Sequence, residues 1–563
     1  MRRSSVLTIT AVSCLAFAAA AVRLIPHLSS AQAAQPQNAQ PAATPAGDAQ
    51  KLAQMKAVSA MIPASAGISR LQPFPSGTET YTAKRGESIP AVAHHYLQRT
   101  RYLTSSELSE AIRSVNKKDG NILRAGEQVT IPGILSSPII EHTVPVPKGF
   151  EVRAIYLTGI MAASDHGLRI IRHWREVGGN AVVFDIKDSD GSVTIPFEHP
   201  LLGKHQVYIH DLPKFVHFLH SENMHAIARI AMFRDERLVV EHPELAVQSK
   251  KNHVPWRENG KLVWTDPSNP KVQDYDIALA KFVAQSGADE IQFDYVRFPA
   301  EGDQKDAAFA FQNEQAAETT DQPKDVIPTR ATALGGTLRD SAPTQPPKRS
   351  QPPALPVNAA HSLQRSDVIT SFLKKAYAEL HPTGVLLSLD VFGVMAWQRP
   401  VDLGHTGQDI VGMAKYCDVL SPMIYPSHFF GMDNIAHPGD APEHFIGESM
   451  ERFELITKGS GVVIRPWLQA FHWRTKTYSP EYIKVQVATA KEKGGIGFLF
   501  WNAANDYSKP YEAMPEMEEA NLKQGSKENP KYFRGDELPG VTMKASLSPV
   551  AVPAGTPEET ANH

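Results

Sequence analysis

From Val152 to about Met517 the chain alternates short apolar runs with amphipathic stretches, and this rhythm limits its fold more than any other feature. Eight runs read as strands: Val152 to Leu157, Ala181 to Ile186, Ala226 to Ala231, Glu290 to Asp294, Val385 to Asp390, Val419 to Ile424, Val462 to Leu468 and Gly497 to Trp501. Between them, apolar side chains recur at helical spacing: Leu168, Ile171, Trp174 and Val177; Leu212, Phe215, Val216 and Leu219; Ile277, Ala280, Phe282 and Val283; Val368, Phe372, Leu373 and Ala376. Strands joined by helical crossovers pair in parallel, and eight of them close into a ring. The expected fold class is α/β, a (β/α)8 TIM barrel over about 150–522, preceded by a small βααβ domain.

Barrel enzymes carry their reactive groups at the C-terminal ends of the strands. Here strand two ends Phe184-Asp185-Ile186-Lys187-Asp188, strand four ends Phe293-Asp294-Tyr295-Val296-Arg297, and strand five ends Leu389-Asp390-Val391-Phe392-Gly393. A carboxylate ending an apolar strand is costly to bury unless it is paired or used. Lys187 and Arg297 are the expected partners, and salt-bridged rim acids with structural roles are the competing reading. Glycoside hydrolysis needs two carboxyl groups, ~5 Å apart when the anomeric configuration is retained. Asp294 and Asp390 lie on adjacent strands, with backbones ~4.8 Å apart, so Asp294 is the expected nucleophile and Asp390 the general acid/base. Asp185 suits either an inverting partner or a contact to a substrate hydroxyl. Tyr295, Tyr425, Trp467, Trp473 and Trp501 fall at or just beyond strand ends, where sugar rings stack on aromatic faces. Lys187, Asp188, Arg297, His428, His472 and Asn502 complete the candidate substrate contacts.

The runs Glu290-Ile291-Gln292-Phe293-Asp294-Tyr295-Val296-Arg297-Phe298-Pro299, Asn180 to Asp188, Asp390-Val391-Phe392-Gly393 and Ser421 to Phe429 carry a resemblance. The chain resembles a bacterial glycoside hydrolase family with a TIM-barrel domain over roughly residues 150 to 520. That resemblance implies the barrel and a polysaccharide substrate, and its departure here is a long insertion after strand four. Residues 301 to about 362 hold eight prolines between Pro323 and Pro356, which defeats regular hydrogen bonding and predicts a mobile insertion.

The N-terminus reads as an export signal over 1–33, with Arg2 and Arg3, an apolar run from Val6 to Val22, and Ala31-Gln32-Ala33 as the cleavage site. An uncleaved membrane anchor is the alternative; either way the protein is expected to be exported to the periplasm, wall or medium. Cleavage removes Arg2, Arg3 and Arg23, taking the formal charge from −3 to −6. No basic excess exists to attract nucleic acid. Residues 34–78, rich in Ala, Gln and Pro, read as a flexible linker, and 525–563 as a disordered tail.

Residues 79–134 read as a compact unit, with strand-like Tyr81 to Lys84, two amphipathic stretches and a closing strand from Gln128 to Pro132. Tyr81, Lys84, Arg85-Gly86-Glu87-Ser88-Ile89, Asn116, Leu123, Gly126-Glu127 and Val129-Thr130-Ile131-Pro132 give it a resemblance to a LysM module. Such a module implies binding to peptidoglycan or another N-acetylglucosamine polymer. The departures are Glu87 in place of an aspartate and a long connection between the helices, around Arg99 to Thr104.

Three other classes compete. A non-catalytic glycan-binding barrel tethered by the small module fits the same residues. Metal-dependent deacetylation ranks low, because the 22 histidines include no His-x-x-x-His pair anchored at a strand end. Serine hydrolysis lacks its Gly-x-Ser-x-Gly elbow, and Cys417, the one cysteine beyond the signal, reads as a buried small side chain. No cofactor or metal is called for.

Overall fold

The computed structural model describes residues 76–312 and 364–523. The expected signal, nearly all of the linker, most of the insertion and the tail lie outside these residues.

The N-terminal unit runs β1 (Ser76–Thr82), α1 (Ile89–Tyr96), α2 (Ser105–Val115) and β2 (Gln128–Leu135), with β1 and β2 antiparallel. Its order is βααβ, and the residues that carry the module resemblance have visible structural tasks. The Glu87 carboxylate accepts from the Tyr81 hydroxyl at 2.8 Å and from the Lys84 amide at 2.7 Å, closing the first turn. Asn116 donates to the carbonyls of Ile112 and Thr130 and accepts from the Thr130 amide, each at 2.8 Å, tying the end of α2 to β2.

The barrel consists of β3 (Val152–Leu157), β4 (Ala181–Lys187), β5 (His225–Ala231), β6 (Glu290–Asp294), β7 (Leu386–Phe392), β8 (Val419–Met423), a seventh strand in two pieces, β9 (Val463–Ile464) and β10 (Trp467–Gln469), and β11 (Gly497–Trp501). All pairings are parallel, and the ring closes where β7 meets β8 and where β11 meets β3. Pro466 divides the seventh strand, since it has no N–H for the ladder. Helices α3 (Asp165–Glu176), α4 (Leu212–Ser221), α5 (Pro270–Gln285), α6 (Arg365–Leu380), α7 (Pro442–Thr457), α8 (Pro480–Glu492) and α9 (Ser508–Lys523) lie between and after the strands. Their apolar stripes, with Trp174, Phe215, Leu279 and Phe372, pack against the outward residues Phe184, Ile230, Phe293 and Leu389 in one continuous layer. A second, inner cluster of Val144, Phe150, Ala154, Val183, Ile227 and Leu499 fills the barrel from below.

The insertion begins later than the proline pattern predicts. Ala307–Ala308 pairs with Gln248–Ser249, and the buried rings of Phe309 and Phe311 lie 4.9 and 5.8 Å from that of Phe298. Three phenylalanines bury enough apolar surface to order residues 301–312, which precede the prolines.

The small unit is docked on the barrel by the connection that sets it apart from the module it resembles. Lys214 of α4 donates to the carbonyls of Leu97 and Tyr102 at 3.1 and 3.3 Å, and Thr104 donates to Asp165 at 2.5 Å. Arg172 pairs with Glu107 at 2.7 Å, and Leu103 packs on the barrel's apolar layer.

Candidate active site

Because side chains alternate along a strand, Tyr156, Asp185, Arg229, Asp294 and Asp390 enter the barrel interior from five consecutive strands. The register of β6 against β7 pairs Gln292 with Ser388 and Phe293 with Leu389, which brings Asp294 and Asp390 to the same height. Arg229 of β5 holds the group together. Its Nη2 donates to Asp294 Oδ2 at 2.6 Å, its Nη1 to Asp185 Oδ1 at 2.5 Å, and its Nε stands 3.2 Å from Asp294 Oδ2 and 3.9 Å from Asp390 Oδ2. Neutral donors complete the shell: the Tyr156 hydroxyl donates to Asp185, and the Trp467 indole to Asp390 Oδ1 at 2.7 Å.

Three acids share one cation in a buried site. Burial, and then the neighbouring Asp294, push the Asp390 carboxyl well above the usual range. Burial also raises Asp185, to about 7. Asp390 is 1 % exposed and Asp294 is 7 % exposed, the more open of the pair. Asp294 accepts at both oxygens, because Tyr295, in the left-handed region at φ 55°, turns its amide back to Asp294 Oδ1 at 2.6 Å. A non-glycine residue there costs roughly 1–2 kcal/mol, a strain that recurs at functional sites.

Aromatic rings wall the opening. Trp501 stacks on Tyr156 with centroids 6.4 Å apart, and Tyr425 and Phe471 lie 5.8 and 5.4 Å from Trp501. Trp467 meets Tyr156 edge-on. His428 packs 4.9 Å from Trp473, and burial together with Arg474 lowers its imidazole to about 4. It is therefore a neutral group at neutral pH. Asp188 lies near this end of the barrel, close enough for its charge to act on Asp185 and Arg229.

Three expected contacts are placed elsewhere. Lys187 is fully buried and pairs with Asp235 at 2.8 Å and Asp276 at 2.7 Å, outside the barrel wall. The cause is a bulge in β4: Asp185 aligns with Arg229 but Lys187 aligns with the outward-facing Ile230, so the usual alternation is reversed. Asn502 spends its amide on the backbone, donating to Ala470 and Asp506 and accepting from Ala504. His472 is exposed and bonds to the Thr475 carbonyl of its own loop at 3.1 Å. Arg297 stays at the mouth but pairs with none of the three acids; that task falls to Arg229. The clue to Arg229 was present, a charged residue midway along an otherwise apolar strand, as was Tyr156 within Val152 to Leu157. Cys417 is buried as expected, and burial and Asp418 raise its thiol.

Among solved structures, a hypothetical protein from Ruminiclostridium thermocellum is similar at 29% identity, covering 42% of this chain and 97% of its own, with a TM-score of 0.30. The PgaB (BpsB) glycoside hydrolase domain from Bordetella bronchiseptica is 14% identical over 65% of this chain and 99% of its own, with a TM-score of 0.43. The spore cortex-lytic enzyme SleL from Bacillus cereus is 11% identical over 78% and 86%, with a TM-score of 0.35. No curated protein sequence matches the chain. Residues 154–507 match the family described as a putative glycosyl hydrolase domain, and this chain belongs to that family.

Proposed function

We propose that the barrel hydrolyses a glycosidic bond in a cell-envelope or extracellular polysaccharide, with Asp294 as nucleophile and Asp390 as general acid/base. The observation that carries this reading is the asymmetry of two neighbouring acids at one strand-end level. Asp294 accepts at both oxygens and is the more open, whereas burial and the neighbouring Asp294 push the Asp390 carboxyl well above the usual range. An acid whose burial favours its proton, beside a carboxylate fixed by donors at both oxygens, suits the double-displacement route. Oxygens of the two acids stand 3.2 and 3.9 Å from a single nitrogen of Arg229, which is compatible with the short retaining separation of ~5 Å. Asp185, bonded to Tyr156 and Arg229, acts as a positioning group in this scheme. The test is product analysis with wall polysaccharides and exopolysaccharides, following the anomeric configuration of the first product by NMR. An inverted product would remove Asp294 from the nucleophile role.

A second reading is supported by the near-complete burial of Asp390 and its bond to Trp467: a glycan-binding barrel whose acids hold the interior together. Glycan binding by the full chain with no turnover on any glycan, and loss of stability in Asp390→Asn, would favour it. Residues 79–134 fit a peptidoglycan-binding or other N-acetylglucosamine-binding unit by their βααβ order, and export by the N-terminal segment would bring them to such a polymer. Co-sedimentation of the full chain with purified peptidoglycan tests that part.

A further inference from the structure

Two arginines at the barrel mouth lack a carboxylate partner. Arg297, three residues beyond Asp294, is 5 % exposed, and its guanidinium carbon lies 4.5 Å from the Trp264 ring and 4.5 Å from the Phe392 ring. Its protein acceptor among the described residues is the Phe298 carbonyl, reached by Nη1 at 3.1 Å. Arg234, just past β5, is 7 % exposed and donates to the Tyr295 hydroxyl at 3.0 Å. The two guanidinium carbons stand 5.3 and 5.5 Å from the Tyr295 ring, so the cations share one tyrosine.

The acids that face them are occupied. Glu258 accepts from the Trp264 indole at 2.9 Å and from the amides of Ala300 and Glu301 at 3.0 and 2.8 Å. Asp188 accepts from the Ser189 amide, and Asp294 is held by Arg229. Among the described residues no carboxylate oxygen comes within 4.0 Å of either Arg234 or Arg297. The remaining nitrogens of both find no protein acceptor, yet none belongs to the fully buried polar atoms that lack a partner, so they still meet solvent. Burial without a paired anion lowers the affinity of Arg297 for its proton. A largely desolvated cation is expensive to keep unless something supplies the opposite charge. Planar guanidinium groups match the oxygens of carboxylates and sulfates.

We infer that the subsite beside Asp294 takes a sugar residue bearing an oxyanion, a uronate carboxylate or an ester sulfate, gripped by Arg297 and Arg234, so that the substrate is an acidic glycan. For cleavage this rests on the hydrolase reading; for binding it does not.

The full chain is titrated with sodium glucuronate, glucose 6-sulfate and glucose in chloride buffer free of phosphate and sulfate. At least one of the two anions is expected to bind about tenfold more tightly than glucose, and the stronger of them identifies the source of the charge. Arg297→Gln removes that preference. Arg234→Gln does the same while leaving the Trp264–Phe392 sandwich untouched, which covers the case in which the first variant fails to fold. Equal affinity for all three sugars in the wild type, or an unchanged preference in either folded variant, overturns the inference. Binding of an anion without cleavage of any glycan would sink the hydrolase reading and leave this one standing; cleavage of neutral glycans with no anionic preference would do the reverse.

Discussion

Arg229 donates through both Nε and Nη2 to one oxygen of Asp294, at 3.2 and 2.6 Å, leaving the other oxygen to the Tyr295 amide. The carboxylate is thereby fixed in plane and position before any substrate arrives, the preorganisation that a nucleophile needs. Asp294→Asn is expected to cut kcat by about a thousandfold or more, as removal of one member of a catalytic unit does, while the circular dichroism spectrum is unchanged. A loss under about tenfold would place the chemistry elsewhere.

Arg229→Met leaves three buried acids with no cation. Removing one partner of a buried ion cluster costs ~3–5 kcal/mol, and urea unfolding at pH 7.5 should show a loss of that order. Because protonation relieves the repulsion, the variant should regain part of its stability on acidification toward pH 5. A deficit independent of pH would argue that packing, not charge, is what was lost.

Trp467 donates to Asp390 and so favours its ionised form, against the larger effect of burial. Trp467→Phe removes the donor. The alkaline limb of the kcat/KM profile, which reports loss of the acid's proton, should move to higher pH. An alkaline limb that stays in place would show that another group sets it.

The floor of the barrel carries a buried chain of acids and imidazoles. His220 bonds to Asp289 at 2.9 Å and lies 3.3 Å from Glu141. Burial opposes its charge, but Asp289 and Glu141 prevail and raise the imidazole to about 9. Since the folded value exceeds the unfolded ~6.5, the contribution is complete below pH ~6.5 and is lost as pH rises through about 9. The decline should be on the order of 3 kcal/mol, measured as urea midpoints between pH 6 and 10, and flattened in His220→Gln.

How much of this was legible in the sequence varied with the range of the interaction involved. Strands at Val152 to Leu157, Glu290 to Asp294 and Gly497 to Trp501 stand as read, because a buried parallel strand declares itself locally as an apolar run. Asp294 and Asp390 followed from their positions at strand ends. Arg229 and Tyr156 did not, because a mid-strand residue acquires a role only when the ring closes and sets which neighbours it faces. Lys187 was misread for a related reason: a bulge leaves no local signature, and one added residue turns a side chain to the other face. Asn502 and His472 look like sugar contacts in sequence but spend their polar atoms on backbone groups, Asn502 on its own turn and on Ala470 after the neighbouring strand, His472 on its own loop.

That bulge in β4 also decides the proton balance of the cavity. In an unbroken ladder the ammonium of Lys187 would point inward two residues from Asp185, and three acids would share two cations. Asp390 would then have less reason to keep its proton. By sending the lysine out to Asp235 and Asp276, a single irregular residue leaves the interior short of positive charge, with Arg229 as the cation that offsets the burial and like charge that raise the Asp390 carboxyl.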